Sequence, residues 1–411
     1  MSRTFEVRLH GALTGILAEP DAGNITFRFV NSYLESSARP VLGQFFEDDL
    51  NRVYKGRGRD LPAFFANIVP EGHLREIIAH SAGLDPGDDL GLLSAVGNDL
   101  PGAVEIRPAS LSIADSESEP ADWLVGTNDR TPEEAILRFS LAGVQLKFSV
   151  LREQERLSLP AHDQRGAWIV KLDSATFPHL VENEFATMEW ARGAAFDVPE
   201  LHVQSAATLP ASLQHYTVPG SNILVIRRYD RLGNERIHQE DFAQVVNSPP
   251  RLKYDQLTYE QVAALVRAIA GREGFFELVR RLAFVIASGN VDAHLKNWSF
   301  LYPDGVNAVL TPMYDQVSTV AWPELKPELA LKLAGVKHLL QLTPDTVRRF
   351  AARADMDGGE TVREFEAAIE RIATAWKASG VGDIMPRPHI EALRRYWSRS
   401  TLLRRFRGAL V

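Results

Sequence analysis

Two neighbouring stretches carry most of the information in this chain: GNVDAHLKNWSF at residues 289–300 and LTPMYD at residues 310–315. Asp292 and Asn297 are five positions apart, and Asp315 follows after about the length of a hairpin. The same spacing occurs in the catalytic loop of protein kinases, where an aspartate orients the acceptor hydroxyl and an asparagine and a second aspartate bind magnesium. The pattern therefore indicates phosphoryl transfer from a nucleotide.

Local patterns predict how these residues are presented. Apolar residues recur at helical spacing over 275–288, and the Gly-Asn pair that follows is a typical helix stop. Asp292 is therefore predicted to lie on a loop directly after a buried helix. Strands predicted at 298–302 and 306–310, joined by a Pro-Asp-Gly turn, bring Asp315 back toward the loop.

We predict that Asp292 is the catalytic base or orients the acceptor hydroxyl, and that Asn297 and Asp315 bind magnesium. Lys296 is predicted to add a catalytic cation near the phosphates. We predict that His294 lies beside the nucleotide. Its expected role is to fix the loop by a hydrogen bond rather than to titrate during catalysis. The alternative is that Asp292 and Asn297 only form a turn after a helix, because one Asp-x-x-x-x-Asn match is common by chance.

A lysine within a predicted strand supplies the nucleotide side of the site. Lys171 lies in WIVKL, residues 168–172, and a lysine flanked by apolar residues is costly to bury unless it is paired. The next helix offers Glu182, Glu184 and Glu189 as partners, of which we favour Glu184. If the strand lies at an edge of its sheet, Lys171 points into water instead.

Two further segments are candidates for contacts with the nucleotide. The first, SLAGVQLK at 140–147, lies between strand-like runs where a loop could cover the phosphates. It has a single glycine, however, and a plain hairpin turn would look similar. The second, ILVIRRYD at 223–230, is predicted to be a buried strand whose polar end pairs with adenine, and it fits an interdomain strand equally well.

The composition limits the class of protein. With 411 residues and 45% hydrophobic content, the chain is predicted to bury a sizeable core in two or three domains. Its 45 basic and 53 acidic residues give a net charge of −8, which disfavours non-specific binding of nucleic acid by the whole surface. The absence of cysteine excludes disulfides and Cys-ligated zinc, and the histidines show no zinc pattern. With no signal peptide or membrane-spanning run apparent, we predict a cytoplasmic protein without a membrane partner.

The order of the predicted elements indicates an α+β chain with a bilobal, protein-kinase-like fold. The predicted parts are an added amino-terminal α/β subdomain at 1–110, a linker at 111–130, a β-rich amino-terminal lobe at 131–230, and an all-helical carboxyl-terminal lobe with the catalytic loop at 231–411. Strands are predicted at 5–9, 25–30, 103–106, 135–139, 146–151, 168–172, 201–206 and 223–229 as well as in the hairpin, and helices at 61–68, 71–79, 181–195, 261–270, 275–288, 344–354, 362–378 and 388–407.

Taken together, these segments resemble the HipA family of bacterial serine/threonine kinases, the toxins of type II toxin–antitoxin pairs. The resemblance spans nearly the whole chain, and the run at 289–297 is its most specific part. The other matching segments are ARP (38–40), FFANIVPEG (64–72), GNDLPGA (97–103), SLAGVQLK (140–147), Lys171, Asn183-Glu184, RYD (228–230) and HQED (238–241).

The resemblance implies ATP and Mg²⁺ as cofactors and assigns roles by position. Asp292 matches the family's catalytic aspartate, Asn297 and Asp315 its magnesium ligands, and Lys171 its ATP lysine. Ser140 matches the serine that family members autophosphorylate, which displaces the phosphate loop and inactivates the kinase. The nucleotide-binding residues implied are Ala142, Gly143, Val144, Gln145, Lys147, Lys171, Arg227, Tyr229, Gln239 and His294, with Arg227 and Tyr229 at the adenine hinge.

The resemblance also implies partners. Members of the family phosphorylate aminoacyl-tRNA synthetases, which stalls translation, and are held by a DNA-binding antitoxin. It therefore implies a HipB-like antitoxin, contact with DNA only indirectly or through that complex, and a translation component such as an aminoacyl-tRNA synthetase as protein substrate, although the substrate varies within the family.

Two other functions stay open at this point: a nucleotide-binding pseudokinase that acts as corepressor with a DNA-binding antitoxin, and a small-molecule kinase of related fold. The intact Asp292, Asn297, Asp315 and Lys171 favour an enzyme over a pseudokinase.

The segment 387–411 has seven arginines and one glutamate, and seven positive charges less one negative charge give it a net charge of +6. It is predicted to form an amphipathic basic helix that either contacts DNA or an acidic partner, or packs on the core with a solvated arginine face.

Overall fold

The computed structural model describes residues 2–109, 146–153, 156–160, 166–254, 256–378 and 380–410. The first part of the chain forms a five-stranded antiparallel sheet with the order β4-β3-β2-β1-β5, covered by short helices. Its strands are β1 Arg3–Leu9, β2 Ala12–Glu19, β3 Thr26–Phe29, β4 Tyr54–Lys55 and β5 Val104–Pro108, and its helices are α1 Asn31–Leu34, α2 Ala63–Ala66, α3 Gly72–Ala82 and α4 Asp89–Ala95.

Strand β2 is the main element of this part that the sequence pattern does not predict. Its last six residues, Thr14 to Glu19, are all buried. A strand buried on both faces lacks the alternation of apolar and polar residues on which the prediction depends.

A second five-stranded antiparallel sheet follows, with the order β7-β6-β8-β10-β9. Helix α5 packs against β9 and β10. The predicted linker and the predicted strand at 135–139 lie outside the described residues. The elements of this lobe are β6 Lys147–Glu153, β7 Arg156–Ser158, β8 Trp168–Leu172, α5 Leu180–Gly193, β9 Leu201–Ser205, α6 Ala211–Gln214 and β10 Asn222–Arg227.

The remaining chain is mainly helical, but the prediction of an all-helical lobe is wrong in detail, because short strands interrupt it. Strands of two to six residues are too short to show a clear alternation of apolar and polar residues in the sequence. The helices are α7 Phe242–Val245, α8 Tyr259–Ser288, α9 Pro344–Arg353, α10 Gly358–Ala378, α11 Val381–Ile384, α12 Arg387–Arg399 and α13 Arg407–Leu410; the strands are β11 Arg231–Leu232, β12 Glu235–Arg236, β13 His238–Asp241, β14 Ser299–Tyr302, β15 Val309–Leu310, β16 Glu328–Leu333 and β17 Val336–His338.

Two of these helices differ in extent from the prediction. The helices predicted at 261–270 and 275–288 are the two halves of α8, which is interrupted at Gly271 by a backbone with φ 72° and ψ −170°. The helix predicted at 388–407 ends at Arg399, because Ser400 adopts an extended backbone.

The terminal helix α12 packs on the core and leaves arginines in solvent. Ile390, Leu393 and Trp397 are buried, whereas Arg394 and Arg395 are exposed. Of the two interpretations of this segment, the geometry favours the core-packed helix with a solvated arginine face. None of the described helices is both long and apolar enough to cross a membrane.

The two sheets share one hydrophobic core. Phe27 and Ile106 of the first sheet belong to the same buried cluster as Phe148, Val170 and Val225 of the second. A separate core lies among the carboxyl-terminal helices. The amino-terminal subdomain is therefore packed tightly against the β-rich lobe, although the predicted domain boundaries themselves stay a prediction.

A cluster of four buried charges, which we call the ionic joint, connects the subdomain to the end of β10. It consists of Asp99, Arg228, Asp230 and Arg231. Arg228 lies 2.9 Å from Asp99 and 2.9 Å from Asp230, and Arg231 lies 3.0 Å and 2.8 Å from the same two acids. Burial alone would raise the pKa of Asp230, but the two arginines outweigh it and hold that pKa below its ordinary value. The joint fixes the subdomain beside the β-strand that leads into the helical lobe.

Candidate active site

The loop that carries Asp292 begins where helix α8 ends. The last turns of α8 are buried, and Gly289 ends the helix with a left-handed backbone, φ 65°. A Cβ at Gly289 would lie 2.5 Å from a methyl carbon of Val320, so this position requires glycine for its space as well as its backbone. Asp292 therefore projects from a loop that is fixed to a rigid helix.

Hydrogen bonds hold the backbone around Asp292. Its N–H donates to Oδ1 of Asn290 at 2.9 Å, and its carbonyl accepts bonds from the N–H of His294 at 2.7 Å and from Nδ2 of Asn297 at 2.9 Å. The predicted Asp–Asn pair is thus in direct contact. Because its amide nitrogen is engaged, Asn297 has its Oδ1 left to bind a metal ion, and the described residues provide no partner for that oxygen.

The carboxylate of Asp292 accepts a hydrogen bond from a tyrosine that the sequence pattern does not single out. Oη of Tyr254 lies 2.6 Å from Oδ1 of Asp292. Solvent reaches this carboxylate, yet the surrounding protein desolvates it enough to raise its pKa, while the bond from Tyr254 and the charge of Lys253 act in the opposite direction. A raised pKa suits a carboxylate that must accept a proton.

The predicted hairpin after Asn297 is present, with shorter strands than expected. β14 and β15 are antiparallel, with Phe300 opposite Leu310. The chain then reaches Asp315, whose backbone is left-handed, φ 51°. This conformation is uncommon for a residue other than glycine, and aspartate adopts it more readily than most residues.

Lys171 and Glu184 form the predicted pair. Nζ of Lys171 donates to Oε1 of Glu184 at 2.5 Å and also to Oδ1 of Asp315. Lys171 is 4% exposed and Glu184 is 0% exposed. The alternative of an edge strand is wrong, because β8 lies between β6 and β10. Lys171 thus connects helix α5 of the β-rich lobe to Asp315 of the helical lobe.

A second lysine lies directly opposite Lys171 in the sheet. Lys147 and Lys171 are Cα partners in the β6–β8 pair, so both side chains are on the same face. Like charges placed opposite each other are destabilising unless an anion compensates them. Burial alone would raise the pKa of Asp315, but the charges of Lys171 and Lys147 outweigh it and hold that pKa below its ordinary value. This arrangement fits the binding of phosphate groups.

Two residues predicted to line the nucleotide site contact each other. Oη of Tyr229 donates to Oε1 of Gln239 at 2.5 Å. The ring of Tyr229 also lies 5.8 Å from that of Tyr314, the residue before Asp315. Tyr229 and Gln239 are therefore brought together beside the predicted metal ligand. Tyr314 completes this group, although the sequence pattern does not predict a role for it.

Arg227 and His294 have surroundings that the sequence does not predict. Arg227 is exposed and lies 3.6 Å from Glu200, so the described contacts do not join it to the group around Tyr229. His294 is 7% exposed, and its Nδ1 has no hydrogen-bond partner among the described residues. The main chain of His294 makes hydrogen bonds within the loop, to the carbonyl of Asp292 and from the N–H of Asn297, while its ring packs edge-on against Tyr254. Burial lowers the pKa of His294 to about 3, so its ring is neutral at neutral pH.

Lys296 points toward the amino-terminal subdomain. Its Nζ donates to the carbonyl of Asn67 at 2.6 Å and lies 3.0 Å from Oε1 of Glu71. The catalytic role predicted for Lys296 stays a prediction, but these partners indicate a different task for the residue.

Several predicted site residues lie outside the described part of the chain. They are Ser140, Ala142, Gly143, Val144 and Gln145. Among the residues that are described, no group of three or more His, Asp or Glu side chains could hold a metal ion by itself. The predicted magnesium pair, one amide and one carboxylate, accords with an ion that takes its remaining ligands from phosphates and water.

The fold and the site define the class of this protein. A buried pair between Lys171 of the second sheet and Glu184 of α5 contacts Asp315, which follows a hairpin, and that hairpin follows the loop with Asp292 and Asn297. This is the arrangement of a protein-kinase-like phosphotransferase.

The chain belongs to the HipA family, because residues 5–107 match the family model of the HipA N-terminal domain and residues 139–379 that of the HipA-like C-terminal domain. It is 35% identical over 379 residues to a Sinorhizobium fredii protein named "Putative kinase Y4dM", covering 91% of each chain. It is 23% identical over 341 residues to the "Serine/threonine-protein kinase toxin HipA" of Shewanella oneidensis, covering 74% of this chain and 72% of that one.

A solved structure confirms the predicted fold. The Shewanella oneidensis HipA chain, determined in a complex with HipB and operator DNA, matches with a TM-score of 0.71 at 18% identity. The match covers 98% of this chain and 99% of that one. The α+β, bilobal, kinase-like architecture with its added amino-terminal subdomain is therefore the fold of the described residues.

Proposed function

We propose that this protein is an ATP- and magnesium-dependent serine/threonine protein kinase that acts as the toxin of a toxin–antitoxin pair. The observation that carries the proposal is the contact of Lys171 with both Glu184 and Asp315, because it joins the nucleotide side of the site to the metal side. Relatives named as kinases support the use of ATP.

The described residues divide the work of phosphoryl transfer. Asp292 orients the acceptor hydroxyl and accepts its proton. Lys171 and Lys147 hold the phosphates, and Asn297 and Asp315 would bind magnesium, which neutralises charge on the phosphates when it is bound. Hard oxygen ligands on the loop and in the segment after the hairpin fit that ion. Tyr229 and Gln239 line the nucleotide site.

The partners of relatives support a regulatory context. The related Shewanella oneidensis chain is bound to HipB and operator DNA, and we propose a HipB-like antitoxin for this chain, with DNA reached through that complex. We propose a translation component such as an aminoacyl-tRNA synthetase as the protein substrate. The intact site favours this enzyme over a corepressor without catalysis.

The proposal is tested by incubating the protein with radiolabelled ATP, magnesium and a cell lysate, followed by mapping of the label. We expect label on Ser140 and on at least one lysate protein, which identifies the substrate. Ser140→Ala should remove most of the label from the kinase itself, whereas Ser158→Ala, at an exposed serine on β7, should not. If the wild type binds ATP but labels neither itself nor any other protein, the kinase proposal fails and the corepressor alternative replaces it.

Tyr254→Phe should move the acid limb of the pH–rate profile to higher pH. The hydrogen bond from Tyr254 favours the ionised form of Asp292, so its loss raises the pKa of the base, which then stays protonated up to a higher pH. The measurement is the rate of phosphate incorporation across pH. Tyr216→Phe is the control, since its hydroxyl bonds none of the described site residues; an unshifted limb for Tyr254→Phe would show that Asp292 is not the titrating base.

A further inference from the structure

A carboxylate of the amino-terminal subdomain lies between two lysines of the helical lobe. Oε1 of Glu71 lies 3.0 Å from Nζ of Lys296, and its Oε2 lies 3.4 Å from Nζ of Lys253. Each lysine is only 8% exposed. A buried ammonium group is costly unless it is paired, so Glu71 stabilises two chain segments at once.

Asn67 makes the same connection from within the same segment. Its carbonyl accepts from Nζ of Lys296 at 2.6 Å, its Oδ1 lies 3.3 Å from that nitrogen, and its Nδ2 donates to the carbonyl of Ser248 at 2.8 Å. Asn67 is 0% exposed. The motif FFANIVPEG at 64–72 therefore has specific partners in the helical lobe, beyond any role within its own subdomain.

Each of the two lysines precedes a residue that bonds Asp292. Lys253 precedes Tyr254, whose hydroxyl donates to the carboxylate, and Lys296 precedes Asn297, whose amide donates to the carbonyl. In addition, the N–H of the residue before Lys296 donates to the carbonyl of Lys253 at 3.2 Å. A displacement of either lysine would therefore move a donor that orients Asp292.

We propose that Glu71 and Asn67 are positioning residues of the catalytic loop, through which the amino-terminal subdomain holds Lys253 and Lys296 and thereby orients Asp292. The inference rests on the proposed kinase function and gives the subdomain a task in the same site. In this arrangement Lys296 is an anchor of the loop, not a cation for the phosphates.

The test compares full-length wild type, Glu71→Gln, Lys296→Met and the double variant, by the rate of phosphate incorporation over a range of ATP concentrations. We expect each single variant to lower the maximal rate about 10-fold to 100-fold, since a small misplacement of reacting groups has effects of that size. The KM for ATP should change less than the maximal rate, because Lys171, Lys147 and Asp315 are untouched. The double variant should be slowed by less than the product of the two single effects, because the two changes share the Glu71–Lys296 contact.

Two further variants separate positioning from folding. Asp60→Asn breaks an exposed pair with Arg251, 3.5 Å apart, that joins the same two parts of the chain, and it should keep the wild-type rate. Glu71→Asp keeps the charge and should retain more activity than Glu71→Gln. Thermal unfolding shows which variants are folded. If Glu71→Gln is unfolded, the rates of phosphate incorporation of Glu71→Asp and Lys296→Met are compared in its place to test the positioning role.

Three results would overturn the inference. Glu71→Gln could react at the wild-type rate, or the double variant could be slowed by the product of the two single effects. Glu71→Gln could also react faster, which would show that Lys296 had been freed to serve the phosphates. A wild type that incorporates no phosphate is a different result, since it removes the proposed function and this inference with it.

Discussion

Asp292→Asn should reduce phosphate incorporation by about 10²- to 10⁴-fold, the range contributed by a general base. The amide keeps the shape of the side chain and can still contact Tyr254, but it cannot accept the proton of the acceptor hydroxyl. ATP binding should persist, because Lys171, Lys147 and Asp315 are unchanged. The measurements are the rate of label incorporation and the affinity for ATP.

The matched control is Asp304→Asn, at the turn of the neighbouring hairpin. Asp304 accepts bonds from the N–H groups of Val306 and Asn307, and asparagine can replace it in such a turn. This variant should keep the wild-type rate. If Asp292→Asn also reacts within about tenfold of the wild type, Asp292 is not the base, because that loss lies below the range of a general base.

Lys171→Met should destabilise the protein by about 3–5 kcal/mol, the cost of removing one partner from a buried ion pair, and should also weaken ATP binding. Glu184 is fully buried, and Asp315 would lose its ion pair with Lys171 while the charge of Lys147 stays nearby. Denaturant unfolding measures the loss. Lys332→Met, at an exposed lysine on β16, is the control and should change the free energy of unfolding little.

The stability lost in Lys171→Met should grow with pH. Burial already raises the pKa of Glu184, and Lys171 opposes that rise, so its removal raises the pKa further. A carboxyl group with a raised pKa in the folded state contributes stability that is present at low pH and lost as the pH rises through that pKa. Unfolding of the variant should therefore become easier as the pH rises above the ordinary titration range of a glutamate. If the loss in free energy of unfolding is independent of pH, Glu184 does not titrate in the variant.

The parts of the site that could be predicted are those with short-range signals. Asp292 and Asn297 lie on one loop after a helix end, so their spacing determines their contact, and the hairpin that follows leads the chain to Asp315. Lys171 needed a buried partner, and the next helix offered few acids, which made Glu184 a reasonable choice. These predictions depend on chain-local geometry and on the cost of burying a charge.

The parts that could not be predicted depend on contacts between distant segments. Tyr254 lies 38 positions before Asp292, and Asn67 lies 229 positions before Lys296. No periodicity or spacing links such residues, because tertiary packing alone brings them together. The same holds for β13, a four-residue strand whose pairing with β14 is set by the fold around it.

The ionic joint has a consequence for how this molecule can be divided or recombined. A truncation of residues 1–109 would remove Asp99 and leave Arg228 and Arg231 to share one acid, and a buried charge that loses its partner costs about 3–5 kcal/mol. That is a large fraction of the roughly 5–15 kcal/mol by which proteins are stable. The subdomain is therefore not a detachable module, and a chimera between relatives must exchange both sides of this charge cluster together.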